Sequence, residues 1–147
     1  MINYKLLYWF HGHKCPMSTI GFKAGNMAKK LLRLKRNDYK YAYAKIFFKS
    51  CAIDGVQISF PSTYGNNNLE IIDAGDMRFI FKNTKTDISI EIKFSDELLT
   101  KINNYLMIRK KTENNKTFRS IQKERYDELY KFVYRSKPEK LFSYRIF

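Results

Sequence analysis

Cysteine is scarce in this chain. Two thiols among 147 residues cannot build a disulfide framework, and such a pair is expected as free thiols or metal ligands. Apolar runs are short as well, and none approaches the roughly 20 residues of a membrane span. The opening MINYKLLYWF is apolar, but it lacks a basic leader and a small-residue cleavage site and runs straight into HGHKC. It therefore does not read as a signal peptide, and a cytoplasmic location is expected. No internal repeat is visible, and low complexity is confined to the asparagines at 66–68. Acidic residues are outnumbered, 14 Asp and Glu against 28 Lys and Arg, which leaves a net charge of +14.

What is present is enough for one folded unit. A chain of this length supports one core, and 44% hydrophobic residues can fill it, so a single domain over 1–147 is expected. The charge suggests a polyanionic partner such as nucleic acid, or an acidic protein or membrane face. Lysine on solvated helix faces accounts for it equally well, and no nucleic-acid recognition motif is recognisable.

The pattern of elements is α+β. A helix is expected over Ser18–Lys35, capped by Ser18, with Ile20, Ala24, Met27, Ala28, Leu31 and Leu34 as its apolar stripe. A strand is expected over Tyr41–Lys49. Cys51–Ser59 is ambiguous between helix and strand, and FPSTYGNNN at 60–68 reads as a loop. Strands follow at Leu69–Ile72, Met77–Phe81 and Ile88–Phe94. Ser95 caps a helix reaching about Lys110, a charged linker KKTENNK follows, and another helix spans about Phe118–Tyr134. The final LFSYRIF alternates like a strand. The sum is an antiparallel or mixed sheet meander with helices packed on it.

The chemistry concentrates in HGHKCPM, residues 11–17, which holds both histidines of the chain and one of its cysteines. Imidazole nitrogen and thiolate sulfur suit zinc and other late first-row metals. In an extended segment the spacing of two puts His11, His13 and Cys15 on one side. A cysteine just before a helix gains thiolate character from the dipole. Three ligands do not close a tetrahedral site, so Cys51 or a water would supply the fourth. The plainer reading makes the histidines turn residues and Cys15 a buried thiol. Trp9 is expected to pack in the core.

Two blocks, HGHKCPMSTIGFKAG and CAIDGVQISFPSTYGNNNLEIIDAGDMRFIF, resemble the family of formylmethanofuran dehydrogenase E subunits. His11, Gly12, His13, Cys15, Pro16, Gly21 and Gly25 match its first motif, with Lys23 near a basic position. Cys51, Ala52, Asp54, Gln57, Thr63, Gly65, Asn68 and Leu69 match the second, and Asp73, Gly75 and Phe79 continue it. The resemblance implies an α+β core forming an intertwined homodimer, with a pocket near both motifs that holds a metal, often zinc. It implies His11, His13, Cys15 and Cys51 as metal ligands, Asp54 as a base or as the group orienting a histidine, and Thr63, Gly65 and Asn68 as a pocket loop. No cysteine follows residue 51, so the C-terminal zinc ribbon of many members has no counterpart. Met17, Phe47, Pro61 and Ser62 depart from the pattern and remove potential ligands or bases. Dehydrogenase activity is not implied, because a pterin site or iron–sulfur clusters need many more cysteines.

Three readings follow. The first is an accessory metal-binding module that supports a partner enzyme. The second is a thiol-dependent enzyme using Cys15 or Cys51 with a histidine base, which requires a depressed thiol pKa. The third is a basic protein binding nucleic acid or another polyanion through the clusters at 29–36, 109–111 and 135–140, non-specifically and with steep salt dependence.

Overall fold

The computed structural model describes residues 3–113 and 119–147. Five strands form one sheet in the order β2-β1-β3-β4-β5: β1 Ala42–Ile46, β2 Leu69–Ile71, β3 Arg78–Asn83, β4 Ile88–Phe94 and β5 Phe142–Ile146. β1, β3, β4 and β5 pair antiparallel, whereas β2 lies parallel to β1 with Ala44 opposite Leu69. Among the described residues six α-helices accompany the sheet: α1 Tyr4–His11, α2 Pro16–Leu31, α3 Ala52–Ser59, α4 Asp96–Thr112, α5 Arg119–Arg135 and α6 Pro138–Leu141. The single parallel pair follows from α3, because a parallel neighbour needs a crossover between its strands. The expected mixed α+β architecture is the one observed.

Alternation explains the sheet. Ala42, Ala44 and Ile46 of β1 are buried with the intervening residues half-buried, and β3 repeats the pattern through Phe79 and Phe81. These side chains join Ile90, Ile92 and Phe94 of β4 on one face, and Ile20, Ala24 and Ala28 of α2 with Ala52 and Val56 of α3 close the core over them. The opposite face carries Glu91. Its carboxylate is covered by Arg78 at 3.2 Å from β3 and Arg145 at 3.0 Å from β5.

Small residues set how closely α2 and α3 approach. A Cβ on Gly21 would lie 2.0 Å from the Ala52 carbonyl oxygen, and one on Gly55 would lie 2.0 Å from that of Ser18. Backbone therefore meets backbone in both directions. This crossing brings the start of α3 beside the start of α2, and so places the second sequence motif against the first.

α5 is fastened to α2 by a buried lysine. The Lys23 ammonium donates to the carbonyls of Val133, Tyr134 and Ser136 at 2.6–2.7 Å. Burial lowers its pKa to about 8. The three acceptors lie where the last carbonyls of α5 have no helical partner, so one cation satisfies them.

Several expectations require correction. The apolar N-terminus is helix α1, and Trp9 on it is 80% exposed instead of packed in the core. α2 starts at Pro16 with Cys15 as N-cap, so Ser18 is inside the helix. α2 also ends at Leu31, before the expected Lys35. α3 resolves the ambiguous 51–59 segment as helix, and a 3-10 turn over Arg36–Tyr41 delays β1. α4 runs on through Thr112, taking in the first three residues of the expected linker, with Glu113 as its C-cap. Residues 114–116 of that linker and the Phe118 start of the next helix lie outside the described residues. Within LFSYRIF, Leu141 belongs to α6 and the strand begins at Phe142.

Candidate metal centre

Two helix ends make the site. α1 stops at His11 because Gly12 takes a left-handed conformation, φ 97°, and returns its N–H to the Tyr8 carbonyl. That φ is open to glycine and strained for a side chain. The chain then turns within a few residues and enters α2 at Pro16. Cys15 is extended, and its sulfur accepts the Ser18 backbone N–H at 3.2 Å. A thiol thus takes the capping role usually filled by Ser, Thr, Asp or Asn.

The elbow folds His11 back over Cys15. The expectation was an extended run that aligns His11, His13 and Cys15. Instead His11 closes one helix and Cys15 opens the next, and the turn brings them together. Their ligand atoms, with that of His13, all lie within 4.8 Å of one another. Cys15 Sγ is 3.5 Å from His11 Nε2, and the rings of His11 and His13 are 4.6 Å apart. Bond lengths of about 2.0–2.1 Å to nitrogen and 2.3 Å to sulfur in a tetrahedron separate N and S ligands by about 3.5 Å. The His11–Cys15 pair already has that spacing.

Asp54 reaches the site from α3. Its Oδ2 is 2.7 Å from His11 Nδ1. A carboxylate there holds the proton on Nδ1, so the lone pair of Nε2 faces the Cys15 sulfur. Asp54 therefore acts on His11 from behind, and its carboxylate is not one of the three clustered ligand atoms. His13 is exposed, and its Nδ1 lies 3.3 Å from the Lys14 carbonyl oxygen.

Cys51 sits at the N-cap of α3 without a capping bond. It borders Cys15 but is not in the three-residue cluster. Burial raises its pKa, with the Cys15 thiol and Asp54 adding to the effect. A thiol held protonated is a poor nucleophile, which counts against Cys51 in a thiol-dependent enzyme.

The pocket-loop residues lie beyond the other end of α3. Asn68 Oδ1 accepts the Thr63 N–H at 2.8 Å, while its amide donates to the carbonyls of Ala42 and Pro61 at 3.1 Å. Thr63 Oγ1 accepts the N–H of Asn66, and Gln57 accepts that of Tyr64. The loop's polar groups thus serve its own shape. Its left-handed residue is Asn67, φ 58°, and neither Gly65 nor Asn68 adopts positive φ. Ser62, in the same loop, is fully buried, and its hydroxyl has no partner among the described residues.

Sequence reasoning did not anticipate the tyrosines around the centre. Thr19 Oγ1 donates to the Cys15 carbonyl at 2.8 Å, so Tyr8 must donate to Thr19 at 2.9 Å and Tyr130 to Tyr8 at 2.7 Å. Tyr126 donates to the Lys14 carbonyl at 3.1 Å. Burial raises the pKa of Tyr126, and the neighbouring Cys15 thiol raises it further. These α5 residues lie more than a hundred positions from the motif, so no local signal pointed to them.

The FmdE family model, "Molybdenum formylmethanofuran dehydrogenase operon", matches residues 10–143. The chain belongs to the FmdE family. No curated protein matches it. Among solved structures, this FmdE chain resembles a tungsten formylmethanofuran dehydrogenase FmdE-like protein from Syntrophus aciditrophicus. The TM-score is 0.60 at 21% identity, covering 96% of this chain and 67% of that one. At that identity the likeness is one of fold. The family match runs from Phe10 through both motifs and includes every candidate ligand.

Proposed function

We propose that this chain is a metal-binding accessory module in which His11, His13 and Cys15 hold one divalent transition ion, zinc in the first place. The observation that carries the reading is the Asp54–His11–Cys15 arrangement. A carboxylate fixes the imidazole tautomer, and the freed nitrogen and a helix-capping sulfur stand at tetrahedral spacing. A metal here would act as a Lewis acid toward whatever occupies the remaining position. Cys51 is the residue best placed to supply that position if α3 shifts, and a water or substrate oxygen is the alternative. Asp54 then keeps His11 oriented, and the polarised chain Tyr130–Tyr8–Thr19 holds the Cys15 backbone in place.

The proposed setting is the cytoplasm, where free thiols persist, and the proposed role is support of a larger partner enzyme. A homodimer belongs to the same reading. Exposed Leu6, Trp9 and Phe10 on α1 offer apolar surface that a second copy would cover. Polyanion binding rests on charge alone, and the geometry of the centre adds nothing to it.

The test is metal content by mass spectrometry on untagged protein purified without chelator. About one ion per chain is expected, lost in Cys15→Ser. Asp54→Asn should keep the fold and weaken metal affinity by about 10- to 100-fold. Metal-free wild-type protein that also fails to take up added zinc would overturn the reading.

A further inference from the structure

A second surface feature belongs to α4 and α5 and involves no candidate metal ligand. An open groove of about 420 Å3 runs between the two helices. Its floor is apolar: Tyr105 and Ile108 from α4, Leu129 and Phe132 from α5. Its rim is cationic: Lys101 and Lys111 from α4, Arg125 from α5. Along α4 the lining residues 101, 105 and 108 step by four and then three, and along α5 residues 125, 129 and 132 do the same. Each helix therefore presents one continuous stripe to the groove. Lys101 to Lys111 spans about 15 Å of helix, at roughly 1.5 Å per residue, enough to seat about three turns of another helix.

Two of the three rim cations are unpaired among the described residues. Arg125 meets Glu128 at 3.1 Å, the one acidic residue among the described ones that line the groove. Among the described residues neither Lys101 nor Lys111 makes an ion pair. Lys101 lies over the Phe132 ring at 4.6 Å, at the boundary of floor and rim. Exposed Met107 extends the apolar lip.

We propose that this groove docks an acidic amphipathic helix of a partner protein. Apolar side chains at three- and four-residue spacing enter between Tyr105, Ile108, Leu129 and Phe132, and flanking carboxylates meet Lys101, Lys111 and Arg125. A second copy of this chain is the poorer occupant. Two-fold pairing through this face would set the same cations against one another, on a chain that already carries +14. The docking does not depend on the metal reading, since no ligand residue lines the groove.

The probe is a labelled synthetic helical peptide of about sixteen residues, with leucine at three- and four-residue spacing and glutamate on both flanks. Its counterpart replaces every glutamate with lysine. Anisotropy should show the glutamate peptide binding with Kd on the order of tens of micromolar, falling with salt, and the lysine peptide not binding. Lys101→Glu with Lys111→Glu should weaken the glutamate peptide by about tenfold or more and admit the lysine peptide. Both positions are exposed, so circular dichroism should be unchanged. Equal binding of both peptides, no binding of either, or a dimer that Met107→Glu splits into monomers would overturn the proposal.

Discussion

Replacing Gly21 with alanine probes the contact on which the candidate centre depends. The added Cβ would stand 2.0 Å from the Ala52 carbonyl oxygen, 2.7 Å from its carbon and 2.9 Å from its Cα. Ordinary contact begins near 3.4 Å, so the deficit is about 1.4 Å, and it is against backbone, which has no flexible end to swing aside. α2 and α3 must separate or tilt. Alanine favours the helix over glycine by about 1 kcal/mol. Overpacking a close contact costs about 1–3 kcal/mol or more, and a rigid backbone obstacle puts this case at or beyond the upper figure. The net loss expected is about 2 kcal/mol. In a chain of this length that lowers Tm by about 4–8 °C. The centre should suffer as well. Asp54 moves with α3, and a shift near 1 Å takes it out of hydrogen-bond reach of His11, now 2.7 Å away. Thermal unfolding with and without zinc measures both effects, and the stabilisation by zinc should shrink in the variant. Gly65→Ala is the control. A Cβ there meets nothing within 4 Å and φ is not left-handed, so Tm should stay within about a degree or two. A Gly21→Ala protein that melts like Gly65→Ala would refute the close-crossing argument.

Other substitutions test separate parts of the fold. Lys23→Met removes the donor shared by three carbonyls at the end of α5, and chemical denaturation should show a loss of about 2–3 kcal/mol. Glu91→Gln tests the outer face of the sheet. A hydrogen bond from Arg145 holds the Glu91 carboxyl below the usual carboxylate range, with that arginine's charge adding to it. Because the folded value is depressed, the stabilisation is complete above the unfolded pKa of about 4.3 and is lost as pH falls through the folded value. Arg145 is mostly exposed, so wild type should exceed the variant by only about 1 kcal/mol at neutral pH, and the gap should narrow as pH falls; a gap that does not change with pH contradicts the assignment. Ser62→Ala removes a buried hydroxyl that has no partner among the described residues and should raise stability by about 1 kcal/mol in urea titration; a loss would mean that the hydroxyl is satisfied.

Much of this molecule was written in local pattern. The β-prone runs 41–49, 77–81 and 88–94 marked three strands, and Ser95 ahead of DELL marked the start of α4. Those signals are local because a strand or cap depends on neighbours two to four residues away. The grouping of His11, His13 and Cys15 was also legible, since residues so close in the chain cannot move far apart. The geometry that joins them was not. A spacing of two fits an extended run, but the left-handed turn at Gly12 and the sulfur cap at Cys15 were preferred once α1 could pack on α2.

The sequence by itself determined most of the strands, the bodies of α2, α4 and α5, the clustering of His11, His13 and Cys15, and the basic charge, because each is a property of residues in order. Tertiary structure alone decided which groups serve that donor set. Asp54 comes to His11 from 43 positions away because Gly21 and Gly55 let two backbones touch. Tyr126 and Tyr130 arrive from α5, whose end is fastened to α2 by Lys23. Contacts of that range depend on which surfaces bury each other, and no window along the chain contains both partners.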